Sequence, residues 1–278
     1  MFGRGVEIKT PDQVKLMRKA GLVVARALKA TVAEVRPGIS TGELDEIAAG
    51  VIASAGATPS FLNYGAEYGT PFPGVTCISV NEQVVHGIPG EQVLAAGDIV
   101  SIDCGAIVEG WHGDSAVTVT VGDPSPADHA LSEATRQGMW AGIAAAKLGG
   151  RVTDISAAVE ASVRADSPQW GIVSDFVGHG IGSAMHQVPD VPNQGRPGRG
   201  PKIVEGLCLA VEPIVVAGDP ANATLDDDWT IVTIDGSRAA HWEHTMTVTK
   251  HGTWVLTAED GGEAELTAAG VPFGPLAD

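Results

Sequence analysis

Four acidic residues fall in or against strand-like apolar runs, where an uncompensated charge is costly to desolvate. Asp103 closes DIVSID, Asp114 precedes SAVTVTV, Glu212 lies in LCLAVEPIVV and Glu243 in HWEHTMTV. Turn residues between Asp103 and Asp114 predict a hairpin that brings those two carboxylates together. Pro213, behind Glu212, suits a bulge or an edge strand. Side chains alternate along a strand, so Glu243 shares a face with Thr245 while Trp242 and His244 point the other way. Glu243 and His244 are therefore not expected to hold one metal between them. His179 stands between glycines in VGHGIGSAMHQ, where turns are tight and a ligand can approach the backbone. His86 ends the apolar run QVV.

Each of these has an ordinary explanation alone, an edge carboxylate or a hydrogen-bonded histidine. Together they ask for positive charge. Two divalent cations neutralise four carboxylates, and mostly oxygen donors with one imidazole suit Mn, Fe, Co or Zn. The chemistry that follows is a two-metal hydrolase site. A phosphate loop is the alternative use of the glycines, but the stretch carries neither GxGxxG nor GxxxxGK followed by Ser or Thr.

Helices and strands must position these groups. Thr10 with Gln13 forms a capping box around Pro11, and Val14, Met17, Leu22 and Leu28 make an apolar stripe, so a helix is predicted to end before Pro37-Gly38. Ser40 with Glu43 opens a second, along Leu44, Ile47, Ala48, Val51, Ile52 and Ala55 to the stop at Gly56. β-branched runs predict strands at 75–80, 99–104 and 115–121. Helices follow at 126–147 and 154–164, then strands at 207–216, 229–233, 244–249 and 254–256. Two rounds of helices then strands read as α+β around one central, largely antiparallel sheet. Residues 187–206, rich in Pro and Gly, are predicted to be a solvated loop carrying Arg196, Arg199 and Lys202, and the tail after residue 256 is expected to fray.

Acidic residues number 34 against 17 basic, which argues against a nucleic-acid surface. Three cysteines without a CxxC spacing argue against a disulfide scaffold and a zinc knuckle, and point to a reducing compartment. The first residues lack the apolar core of a secretory signal, and no apolar run reaches the length of a membrane span.

The ordered set HGIPG at His86, SIDCG at Asp103, WHGDSAVTV at Asp114, GHGIG at His179, MHQ at His186, VEP at Glu212 and HWEHT at Glu243 resembles type I methionine aminopeptidases of the short bacterial form. The resemblance runs from about Glu7 to Leu256. It implies the pita-bread (creatinase/aminopeptidase) fold, a curved antiparallel sheet backed by two helix pairs with internal pseudo-twofold symmetry. One catalytic domain is expected over 1–278, with a short arm at 1–9 and, from its composition, a flexible tail at 258–278. Asp103, Asp114, His179, Glu212 and Glu243 are the implied ligands of two divalent ions (Co, Mn, Fe or Zn), with Asp114 and Glu243 bridging. Glu212 doubles as proton acceptor for a bridging water, and His86 and His186 are implied catalytic histidines beside the substrate.

By alignment to the family, Phe72, Cys77, Met185 and Trp229 line the methionine pocket. Phe72 and Met185 stand where tyrosine and phenylalanine are expected, and Gln187 where glutamate is. The implied function is removal of the initiator methionine from nascent chains when the second residue is small. The setting implied is the cytoplasm, as a monomer, at or near the ribosome, without direct nucleic-acid or membrane binding. A proline-directed peptidase of the same fold is the enzymatic rival, and a non-catalytic binding module would have lost ligands.

Overall fold

The computed structural model describes residues 5–277. Residues 1–4 of the expected arm, and residue 278, lie outside the described residues. In chain order the elements are α1 (Pro11–Ala33), α2 (Thr41–Ser54), β1 (Thr58–Pro59), β2 (Thr76–Val80), β3 (Gln83–Val85), β4 (Ile99–Val108), β5 (Trp111–Thr120), α3 (Pro126–Ala145) and α4 (Val152–Asp166). There follow β6 (Gly171–Ile172), β7 (Gly178–Gly180), β8 (Gln187–Val191), β9 (Cys208–Val211), β10 (Ile214–Val216) and β11 (Asn222–Thr224). The last are β12 (Ile231–Thr233), β13 (Ala239–His241), β14 (Glu243–Thr249), β15 (Gly252–Val255) and α5 (Glu263–Ala268).

Both predicted capping boxes form, at Thr10 with Gln13 and at Ser40 with Glu43. The buried stripe of α1 runs through Met17, Ala20, Gly21, Val24, Ala27 and Leu28. Gly21 lets the helix touch the sheet, since a Cβ there would lie 2.2 Å from the Leu256 carbonyl oxygen.

A nine-stranded antiparallel sheet runs β1-β4-β5-β14-β9-β7-β8, with β2 added to β4 and β15 to β14. Two three-stranded sheets, β13-β10-β6 and β11-β12-β3, accompany it. One core packs α1 and α2 against β2 and β4 through Val24, Leu44, Ile52, Ile78 and Ile102. A second packs α3 and α4 against β9 and β14 through Ile143, Ile155, Leu209 and Met246. The two helix pairs thus back the two halves of the sheet, the α+β architecture expected.

Three expectations need correction. Residues 187–191 are a strand, β8, not the start of a loop: backbone pairing with β7 outweighs the Pro-rich composition. The run 207–216 is two strands, broken at Glu212-Pro213, because proline cannot donate to a ladder. The segment after residue 256 forms α5, buries Leu266, and packs Phe273 against the core; Gly274 N–H donates to the Thr253 carbonyl oxygen.

Candidate metal centre

The hairpin of β4 and β5 sets the first two carboxylates. Its register pairs Asp103 with Ala116 and Gly105 with Asp114. Asp114 is two residues from Ala116, so both carboxylates project from the same face. The next strand pairs Glu243 with Ala116, which puts Asp103, Ala116 and Glu243 in one row across β4, β5 and β14. On the far side of β14, His244 pairs with Val211, which brings Glu243 beside Glu212 at the end of β9. Beyond it, Gly180 pairs with Leu209 and carries His179 in from β7. Adjacent strands of one sheet therefore deliver all five expected ligands.

Neighbouring side chains pin this frame. The Thr245 hydroxyl donates to the Asp114 carbonyl oxygen at 2.8 Å and accepts from the Asp114 N–H at 3.1 Å. Ser115 Oγ donates to the Glu243 carbonyl oxygen at 2.6 Å. His244 turns to the opposite face, as alternation requires, where its Nδ1 lies 2.8 Å from Thr257 Oγ1.

At this site several donor atoms are buried without partners. Asp103 Oδ1, Asp114 Oδ1, Glu243 Oε1 and His241 Nε2 are all shut from solvent with no hydrogen bond. Burial raises every carboxyl: Asp103 to about 7, helped by the Glu212 charge, and Glu212 to about 8. Asp114 and Glu243 also stand well above the usual range, from burial first and then from the surrounding carboxylates.

His179 Nδ1 lies 3.0 Å from the Gly180 carbonyl oxygen, which can only accept, so Nδ1 carries the proton. Burial holds that ring to a pKa of about 3, hence neutral, and its Nε2 presents a lone pair to Glu212 Oε1 at 3.3 Å. An imidazole lone pair aimed at a carboxyl oxygen among four buried carboxyl groups offers a cation a ready set of donors. The donor set, oxygen-rich with imidazole, fits divalent metal ions. The ligand atoms fall into two overlapping groups, Asp114–His179–Glu243 and Glu212–His241–Glu243.

The glycines around His179 are required by the protein's own packing. A Cβ on Gly178 would lie 2.4 Å from the Ala210 carbonyl oxygen, and one on Gly180 would lie 2.5 Å from that of Val188. Close strand packing is the reason for both.

A cavity of about 290 Å³ opens onto the carboxylates. Phe72, Cys77 and Met185 form one apolar cluster with Phe61, flanked by Tyr64 and Trp229. The four residues aligned to the methionine pocket thus lie together. Phe61 and Tyr64 were missed, as aromatic residues in a turn-rich loop give no local signal. Trp229 meets Phe72 edge-on at 5.3 Å and donates its Nε1–H to the Thr70 carbonyl oxygen at 3.1 Å. His186 lies 2.7 Å, through Nδ1, from Tyr64 Oη, and its ring centroid is 4.4 Å from that of His179. His86, at the end of β3 with φ of 55°, is edge-on to Phe176 at 5.5 Å, and burial lowers it to about 4.

Gln187 stands where the resemblance expects a carboxylate, and Glu7 brings one beside it from the amino-terminal segment. Glu7 accepts from Ser183 N–H, Ser183 Oγ and Gln187 Nε2, while the buried Lys9 donates to Gln187 Oε1 at 3.2 Å. Gly182 clears the space, since a Cβ there would sit 2.2 Å from Glu7 Oε2. Burial pushes the Glu7 carboxyl up, but the hydrogen bonds from Ser183 and Gln187 and the Lys9 charge prevail and hold it at about 2.

A folded pKa below the unfolded value stabilises above pH of about 4.5, and that contribution is lost as pH falls toward 2. E7Q should therefore lower thermal stability at pH 7 by about 1 kcal/mol, with the deficit shrinking below pH of about 4.5. Because Gln187 adjoins His186, kcat should fall as well. Melts from pH 7 to 3 with parallel kinetics check both, and an unchanged melting temperature at pH 7 would rule the clamp out.

This fold and donor set define a metal-dependent peptidase. The chain belongs to metallopeptidase family M24, whose model matches residues 15–250. Over 259 residues it is 51% identical to methionine aminopeptidase 1 of Mycobacterium tuberculosis, covering 91% of this chain and 96% of that protein. It is 45% identical to methionine aminopeptidase 1 of Bacillus subtilis over 249 residues, covering 90% and 98%. The crystal structure of methionine aminopeptidase from Thermotoga maritima superposes with a TM-score of 0.87 at 38% identity, covering 91% of this chain and all of that one. Among its relatives, then, the chain stands with the methionine aminopeptidases.

Proposed function

We propose that this chain is a methionyl aminopeptidase that removes the initiator methionine from nascent polypeptides when the second residue is small. The observation that carries this reading is the set of buried, unpartnered donor atoms on Asp103, Asp114 and Glu243, lining the same cavity as Phe61, Phe72 and Met185. We assign Asp103, Asp114, His179, Glu212 and Glu243 as ligands of two divalent ions, drawn from Mn, Fe, Co and Zn. When bound, such ions supply Lewis-acid charge that lowers the pKa of water toward neutrality.

The side chains do the rest. Glu212 takes the proton of the attacking water and delivers it to the leaving amine. His186, given a proton on Nε2 when Tyr64 O–H donates to Nδ1, faces the tetrahedral oxyanion. His86, neutral at pH 7, hydrogen-bonds the adjacent substrate amide. Phe61, Phe72, Cys77, Met185 and Trp229 exclude water from one unbranched apolar side chain.

The proposed setting is a single domain acting as a monomer in the cytoplasm, on chains leaving the ribosome. Among the described residues no helix is long and apolar enough to cross a membrane.

Met-Ala-Ser offered to protein loaded with Mn(II), Co(II) or Fe(II) should release methionine, and Met-Trp-Ser should release at least tenfold less. Folded, metal-loaded protein that releases none, or that instead cleaves an Xaa-Pro peptide, overturns the reading.

A further inference from the structure

His241 belongs to none of the expected roles, yet it sits at the centre. It ends β13, where Ile214 pairs with it, and only 3% of its surface is exposed. Its backbone is held on both sides: its N–H donates to Thr118 Oγ1 at 2.9 Å, and its carbonyl oxygen accepts from the same hydroxyl at 2.7 Å. Its Nε2 is one of the four buried atoms at this site with no hydrogen bond; the other three are carboxylate oxygens of assigned ligands. That nitrogen lies 3.5 Å from Glu212 Oε2, while His179 Nε2 lies 3.3 Å from Glu212 Oε1. Each oxygen of Glu212 thus faces a different imidazole.

Two donors on one cation, each about 2.0–2.2 Å from it, stand about 3.0–3.5 Å apart. Both separations match that spacing, and 3.5 Å is long for a hydrogen bond. The two donor groups, Asp114–His179–Glu243 and Glu212–His241–Glu243, share Glu243 and contain one imidazole each.

We infer that His241 Nε2 is a sixth metal ligand, so that each of the two ions has its own imidazole. This rests on the two-ion reading above. It gives the second ion a neutral nitrogen donor beside its carboxylates, where the five expected ligands offer it only oxygen.

Co(II) is the probe. A ligating imidazole keeps an N–H on its other nitrogen, and beside Co(II) that proton resonates far downfield and disappears in D₂O. Wild-type protein carrying two Co(II) should show two such resonances, from His179 and His241. H241Q should show one, and equilibrium dialysis should find its second Co(II) bound at least tenfold more weakly with the first unchanged.

A single exchangeable resonance from wild-type protein with two ions bound would overturn the assignment while leaving the metal centre standing. Full second-ion affinity in H241Q would also overturn it, because glutamine can hydrogen-bond Glu212 but is a poor metal donor. Failure of wild-type protein to take up Co(II) would remove the metal centre and the inference together.

Discussion

E212Q should lower kcat/KM for Met-Ala-Ser by about a thousandfold or more while the protein stays folded. Loss of a positioned proton acceptor alone costs about 10²–10⁴ in rate, and here the same change removes a charged donor. The opposite is expected for the metal-free protein. Burial holds the Glu212 carboxyl at about 8, so its anion is the disfavoured form in the fold. A neutral amide of the same shape removes that burden, and metal-free E212Q should melt no lower than metal-free wild type at pH 8. Activity assays paired with melts of chelated protein test both halves. A variant within tenfold of wild-type turnover would displace Glu212 as proton acceptor, and a lower-melting metal-free variant would show that the anion is not the burden described.

Metal removal should have the second large effect. Chelation should reduce methionine release at least a hundredfold, with recovery on adding Mn(II) or Co(II). It should also leave a protein whose stability depends on pH in a definite direction. Asp103 is held at about 7 and Glu212 at about 8 by burial, and Asp114 and Glu243 stand above the usual carboxylate range. Folded-state values above unfolded ones give stability that is complete below pH of about 4 and lost as pH rises through 7 to 8. The loss is on the order of several kcal/mol, because each tenfold displacement of a protonation equilibrium is worth about 1.4 kcal/mol. Bound cations cancel it, so added metal should raise the melting temperature far more at pH 8 than at pH 5, where protons compete for the same oxygens. Melts of chelated protein that are flat, or that rise with pH from 5 to 8, would contradict this.

Much of this site was legible in the sequence because acid within apolar runs is a physical contradiction that needs resolving. Turn residues put Asp103 and Asp114 on a hairpin, Pro213 breaks the strand behind Glu212, and strand alternation turns Glu243 away from His244. The helix starts were legible for a similar reason, since capping boxes are local chemistry. His241 was missed although it stands only two residues before Glu243, because it ends a different strand in a different sheet. Tyr64, Phe61 and the Glu7–Gln187 contact were not legible, because their partners come from distant segments. Strands of two or three residues, such as β6 and β7, are too short to carry a period, and the pairing that makes β8 a strand is supplied by its neighbours.

The row through Asp103, Ala116 and Glu243 follows the ladder of the sheet, where adjacent strands stand about 4.7–4.9 Å apart. Backbone pairing thus sets the pitch of the ligand rack. An ion of another radius cannot be accommodated by sliding a strand without breaking hydrogen bonds along its whole length. Retuning this enzyme for a different ion must come from exchanging the side chains mounted on that rack.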